Sequence, residues 1–180
     1  FYVVGQRIVR GGRRGGLSTL GRIVTQSPKM EDLKRRIRSA AQLDSPVLIY
    51  GETGTGKELV AEALHSEGPR GGEPFVAQNC AAIPSNLLES LFFGTEKGSY
   101  TGALTRKGLF EEANGGTLFL DESNSMDIGL QAKLLKALEE KKARRLGGSR
   151  DTPFDVRIVA AVNEPPEELL RSGKLREDLY

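Results

Sequence analysis

The feature that most restricts the fold of this 180-residue chain is a short apolar run, Val47-Leu48-Ile49-Tyr50, followed by Gly51-Glu52-Thr53-Gly54-Thr55-Gly56-Lys57. A helical pattern through Glu58, Leu59, Val60, Ala61, Ala63 and Leu64 comes next. A buried strand, a glycine-rich turn and an amphipathic helix in that order make a phosphate cradle. Glycines let main-chain N–H groups converge on phosphate oxygens, and the helix start adds a dipole that favours negative charge. Residues 51–57 match the first seven positions of G-x-x-x-x-G-K, which places Lys57 to reach β- and γ-phosphates. The strict pattern continues with Ser or Thr, whose hydroxyl helps to hold Mg²⁺; here the next residue is Glu58, a carboxylate suited to act on the metal through water.

The rest of the chain repeats the alternation. Ser27 and Pro28 mark a helix start, with Ser27 as a candidate cap, and Met30, Leu33, Ile37 and Ala41 form one apolar face. Arg35, Arg36 and Arg38 fall on the solvent side. Strands are predicted at 75–78, 117–120 and 156–162, and helices at 86–93 and from 167 to 170. Leu130, Leu134, Leu135 and Leu138 make another helical stripe. Residues 94–105, with Gly94, Gly98 and Gly102, read as a loop or interrupted helix. Continuously apolar strands alternating with helices predict an α/β fold with a mainly parallel sheet covered on both faces. Functional loops then gather at the carboxyl ends of the strands.

One of those ends carries two carboxylates. Thr117-Leu118-Phe119-Leu120 runs into Asp121-Glu122, with a strand and a helix separating it from the glycine loop. Asp121 suits a magnesium ligand, direct or through water, and Glu122 suits a general base that orients the attacking water.

Apolar residues make up 38 % and charged residues 28 %, ordinary for a globular chain, and 180 residues suffice for one domain with a sizeable core. A net charge of +2 argues for neither nucleic acid nor membrane as a partner. The chain has no apolar run of about eighteen residues to cross a bilayer. Cys80 is the only cysteine, which rules out an intrachain disulfide and suits a reducing compartment. The missing initiator Met and the stop at Tyr180 read as a piece of a longer protein. Residues 1–19, rich in Arg and Gly, are expected to be a flexible linker or tail, and the alternative is an arm that contacts nucleic-acid phosphates. Residues 20–180 are then the folded domain.

GETGTGKE at 51–58, FVAQNCAAIP at 75–84, GTEKGSYTGA at 94–103, GLFEEANGGTLFLDE at 108–122 and LQAKLLKALEE at 130–140 together resemble one family. It is the AAA+ ATPase domain of bacterial enhancer-binding proteins, the sigma-54 interaction domain. The resemblance covers about residues 20–180 and implies a P-loop NTPase fold, an AAA+ three-layer αβα sandwich. The helical lid that follows the sheet domain in that family is expected to be absent from this chain. In the family, Glu at the position of Glu58 is usual.

The resemblance also implies roles for particular residues. ATP and Mg²⁺ would bind between residues 51–58 and Asp121. Asn79 corresponds to a switch asparagine that holds Glu122 off its working position. Asn163 corresponds to a sensor of the γ-phosphate; the Thr that usually precedes it is Val162 here. Arg176 corresponds to the first of two arginines that reach into a neighbouring subunit's site. Gly98-Ser99-Tyr100-Thr101-Gly102-Ala103 takes the place of the family's G-A-F-T-G-A, the loop tip that contacts sigma-54, with Tyr100 for Phe and Ser99 for Ala. A second mobile loop belongs near Asp127 and Ile128.

The implied activity is ATP hydrolysis coupled to remodelling of the sigma-54 RNA polymerase promoter complex. It would take place in the cytoplasm, by a ring of subunits, commonly a hexamer, with enhancer DNA bound through a domain outside this chain and with no membrane partner. Ser123-Asn124-Ser125 replaces the family's usual Ile-Gly-Asp. With Thr95 and Asn163-Glu164-Pro165-Pro166, it resembles the regulators of arginine and ornithine utilisation. Two other readings share the phosphate loop and acidic pair: a general AAA+ remodelling ATPase, and a nucleotide-binding interaction module without turnover.

Overall fold

Strands that are apolar on both sides stay in water-free surroundings only if helices divide between the two faces of their sheet. The computed structural model describes residues 2–3, 6–9, 19–23, 27–98 and 104–180, and in it the helices divide in that way. The elements in chain order are β1 (Tyr2–Val3), β2 (Gln6–Val9), α1 (Pro28–Ala41), β3 (Val47–Tyr50), α2 (Lys57–Ser66), β4 (Phe75–Asn79), α3 (Ser85–Phe93) and α4 (Leu109–Glu112). They continue with β5 (Thr117–Asp121), α5 (Ile128–Glu140), β6 (Lys142–Arg144), β7 (Asp151–Pro153), β8 (Arg157–Val162) and α6 (Pro166–Arg171).

The main sheet has the order β1-β2-β4-β5-β8-β3. Its four central and outer strands β4, β5, β8 and β3 are mutually parallel, as the alternation predicts. Successive strand residues face opposite sides. Phe75, Ala77, Phe119, Val159 and Ala161 therefore pack with Ile37 of α1 and with Ala61 and Leu64 of α2. Val76, Leu118, Leu120 and Ile158 pack with Leu88 and Phe92 of α3 and with Leu130 and Leu134 of α5. Each such buried Leu or Phe contributes about 1.5–3 kcal/mol relative to exposure. The result is the three-layer αβα sandwich.

One buried cation joins three elements. Arg157 opens β8 and is only 3 % exposed. Its guanidinium donates to the carbonyls of Ala40 (2.7 Å) and Ala41 (3.2 Å) at the end of α1, and to Leu64 (3.3 Å) in the last turns of α2. Helix carboxyl ends carry unsatisfied carbonyls and a partial negative charge, so they can replace a carboxylate as partner. Burial holds the Arg157 pKa below the usual arginine range.

Several expectations change. The six residues of β1 and β2 lie in the stretch read as a linker, yet β2 pairs antiparallel with β4, from Gln6 opposite Gln78 to Val9 opposite Phe75. The physical reason is the free edge of β4, whose main-chain groups accept a short strand with β-branched residues at Ile8 and Val9. Ser27 does precede Pro28 at the start of α1, but its side chain makes no capping bond. Sequence periodicity also missed the three-residue strands of the β6–β7 hairpin and the single turn of α4, which are too short to show a period.

Candidate active site

In a parallel sheet all strands end on the same side, so their following loops share one rim. Four ends meet there. Tyr50 of β3 lies opposite Val162 of β8, and the Gly51 amide donates to the Val162 carbonyl at 3.2 Å. Leu120 of β5 lies opposite Ala160, and Asn79 of β4 lies opposite Asp121. The first glycine of the loop, Asn163, the Asp121-Glu122 pair and Asn79 are thereby brought to one edge by strand register alone.

The loop itself is shaped by glycine and one threonine. Gly54 and Gly56 have φ of 82° and 87°, left-handed values that side chains disfavour. A Cβ on Gly51 would stand 2.9 Å from Thr55 Oγ1, which donates to the Glu52 carbonyl at 2.7 Å. Glu52, Thr53 and Glu58 are exposed along the rim. Lys57, at the first position of α2, is 8 % exposed, and its ammonium donates to the carbonyls of Gly51 (2.8 Å) and Glu52 (3.1 Å). A lysine held, among the described residues, by neutral carbonyls beside main-chain amides at a helix start is a cation ready to exchange those partners for phosphate oxygens. These residues fit a nucleoside triphosphate.

The acidic pair is set by an unusual backbone. Glu122 has φ 51° and ψ 45°, the left-handed region that costs a residue with a side chain roughly 1–2 kcal/mol. Three contacts hold it there. The Glu122 amide donates to Asp121 Oδ1 at 3.0 Å, and Ser125 donates to the Glu122 carbonyl from its Oγ (2.7 Å) and its amide (2.9 Å). Ser123 Oγ, at 2 % exposure, donates to the Ala161 carbonyl at 3.2 Å and pins the turn to β8. Asp121 is half-buried at its strand end, where one carboxylate can join phosphate oxygens and water around Mg²⁺. Behind the pair, burial first and then the charges of Asp121 and Glu122 push the Cys80 thiol up to about 12.

Asn79 does not bond Glu122 in this conformation. Its Oδ1 accepts from the amides of Ala81 (2.9 Å) and Ala82 (3.1 Å), because a side chain at a strand end readily closes the turn that follows. Asn163 Oδ1 accepts from Asn124 Nδ2 at 3.0 Å. Arg176 bonds none of these rim side chains. It forms a two-pronged ion pair with Asp178 (2.8 and 2.6 Å) that raises its pKa, and its amide donates to Gln131 Oε1 at 3.1 Å. Gln131 is fully buried, and its Nε2 also donates to the carbonyls of Met126 (3.0 Å) and Lys174 (2.8 Å), so it ties the turn after the acidic pair to the segment bearing Arg176. Gln131 gave no sequence signal beyond a polar residue between Leu130 and Leu134.

Of the loop at 98–103, Gly98 is exposed with φ 89°; residues 99–103, including Tyr100 and Thr101, lie outside the described residues. The neck of that loop is well defined. Thr95 and Arg106 exchange main-chain bonds of 3.0 and 2.9 Å, and Thr95 Oγ1 donates to the Leu104 carbonyl at 2.6 Å. Arg145 then ties the neck to α4, donating to Glu96 at 2.9 Å and to Glu111 twice at 2.7 Å. These bonds lower the Glu111 pKa and raise that of Arg145.

A family model described as the sigma-54 interaction domain matches residues 23–180. The transcriptional activator RocR of Bacillus subtilis is 51 % identical over 162 residues, covering 90 % of this chain and 35 % of that protein. The DNA-binding transcriptional activator HyfR of Escherichia coli is 50 % identical over 162 residues, covering 89 % and 24 %. Among solved structures, NtrX from Brucella abortus in complex with ATP is similar at a TM-score of 0.79 and 35 % identity, covering 94 % of this chain and 36 % of that one. The chain thus spans between about a quarter and about a third of the length of these relatives.

Proposed function

Because the chain belongs to the sigma-54 interaction domain family of AAA+ ATPases, we propose that it is the ATP-hydrolysing core of an activator that remodels the sigma-54 RNA polymerase promoter complex. One observation carries the reading: the buried Lys57 ammonium sits on two loop carbonyls, at the same sheet rim as the strained Asp121-Glu122 turn.

Main-chain amides of residues 51–58 and the Lys57 ammonium bind the phosphates. Asp121 is the residue that would hold Mg²⁺, which neutralises phosphate charge when bound. Glu122, held in a left-handed backbone at the strand end, takes the proton of the attacking water. Asn79 stands one strand away, with its nitrogen available to meet Glu122 once the turn to Ala82 opens. Asn163 donates toward the terminal phosphate. Arg176 serves a neighbouring subunit's site in a ring, a hexamer by family habit, after exchanging Asp178 for phosphate. Turnover alters which position of the loop at 98–103 is populated, and Tyr100 and Thr101 press on sigma-54. No described helix is long and apolar enough to cross a membrane. We place the protein in the cytoplasm, on enhancer DNA held by another part of the full-length protein. Ser123-Asn124-Ser125 and Thr95 favour a regulator of arginine or ornithine utilisation.

The test is binding of the full-length protein to purified sigma-54 in ADP with aluminium fluoride, comparing wild type with Tyr100→Ala. We expect nucleotide-dependent binding that the substitution abolishes while ATPase activity persists. Equal binding by both, or none by either with turnover intact, would refute the loop assignment.

A further inference from the structure

The rim contains a short relay of side chains whose polarity is forced from one end. Glu164 follows Asn163 and is paired with Lys174, Nζ lying 3.0 and 3.1 Å from its two carboxylate oxygens. A carboxylate so paired only accepts hydrogen bonds. The atom of Asn124 that faces Glu164 Oε1, at 3.4 Å, is therefore its nitrogen. That same Nδ2 lies 3.0 Å from the side chain of Asn163, so the atom it meets there is oxygen. The Asn163 amide is thus fixed with its acceptor turned to Asn124. Its NH₂ has no hydrogen-bond partner among the described residues and is left for the rim, next to Val162, whose carbonyl holds the first glycine of the phosphate loop.

We infer that Asn124 is a positioning residue that sets the Asn163 amide so that its NH₂, not its oxygen, faces the terminal phosphate of a bound nucleoside triphosphate. The inference rests on the reading of Asn163 as the group that senses that phosphate. The chemistry demands such a device. A free asparagine amide can turn by half a rotation with little change in shape, and the wrong face would aim a carbonyl dipole at an anion. Val162 offers no hydroxyl to resist that rotation, and Asn124 supplies the constraint from the neighbouring turn. The turn is itself well anchored, by Ser123 on the Ala161 carbonyl and by Ser125 on Glu122. The same few residues that hold the base in place therefore also orient the sensor. The Ser123-Asn124-Ser125 segment acts as one piece.

The experiment measures the affinity of the full-length protein for a non-hydrolysable ATP analogue and for ADP. It compares wild type, Asn124→Asp, Asn124→Ala and Asn163→Ala, with thermal melts to select folded variants. Asn124→Asp replaces the donor with an acceptor, so Asn163 rotates to donate to it and presents oxygen to the phosphate. The preference for the triphosphate should fall about tenfold, the worth of one hydrogen bond to a charged group, with ADP affinity unchanged. Asn124→Ala should lose part of that preference, since the amide is then free to choose either face. Asn163→Ala separates the two readings. If it lowers the preference and both Asn124 variants keep it, Asn124 does not orient the sensor. If it leaves the preference intact, Asn163 does not read the phosphate and both readings fall. Equal weakening of ADP and triphosphate in the Asn124 variants would mark a structural role only and overturn the inference.

Discussion

His65, the only histidine, lies 7 % exposed on α2 against Phe75, with Nδ1 2.9 Å from Thr117 Oγ1. Burial is the main cause that lowers its pKa from 6.5 to about 4; nearby Arg157 lowers it further, and a main-chain contact with Glu73 works the other way. Between those two values the unfolded chain binds a proton that the folded chain refuses. Stability contributed by the neutral ring is therefore complete above about pH 6.5 and declines as the pH falls toward 4. The loss amounts to roughly 3 kcal/mol by the conversion of pKa differences into free energy. Urea unfolding of wild type and His65→Gln from pH 7.5 to 4.5 checks this: the wild-type curve should fall more steeply below 6.5, and parallel curves would show that the ring does not titrate as its burial implies. Single residues at the rim differ in how far they could be read in advance. Lys57, Asp121 and Glu122 stand out as candidates, because the proposed phosphate and metal chemistry asks for those groups at a helix start and a strand end. Ser125 and Asn124 do not, because their use depends on a left-handed turn that no residue type announces. Asn79 was placed correctly at its strand end, but which of its bonds is made is decided by a local turn.

Elements differ in legibility for a reason of length. The parallel strands show as continuous apolar runs and α1, α2 and α5 as periods over ten to fourteen residues, while the order of strands in the sheet is not written in either pattern. The β6–β7 hairpin shows nothing in the sequence, yet the segment that joins its strands begins with the hub at Arg145. That arginine links the neck of the 98–103 loop, through Glu96, to α4, through Glu111. An ion-pair network with a two-pronged arginine is stiffer than isolated surface pairs. Arg145→Met should leave the sheet and nucleotide binding intact, lower Tm by a few degrees and speed proteolytic cleavage within 96–106. Sigma-54 binding in ADP with aluminium fluoride should weaken as the neck loosens. An unchanged cleavage rate would show that the Thr95–Arg106 bonds alone close the neck.

At the scale of the whole molecule, the two helices on one face are referenced to the sheet by Arg157. Replacing it with Met should leave the carbonyls of Ala41 and Leu64 without that donor in a buried place, while Ala40 keeps its main-chain bond from Leu43, and cost about 2–4 kcal/mol, since each unsatisfied group is expensive. Chemical denaturation would show a lower midpoint with an unchanged slope; a midpoint within error of wild type would mean that water replaces the guanidinium. That global stability also sets the terms on which the site can exist, and Glu122 shows the conflict most clearly. Its backbone prefers glycine or asparagine, the task proposed for it requires a carboxylate, and the rest of the domain absorbs the difference. Under mutation, the easiest gain in robustness at that position is also the loss of the proposed base. On the proposed mechanism, a copy freed of the demand for turnover would drift first toward a sturdier, silent form.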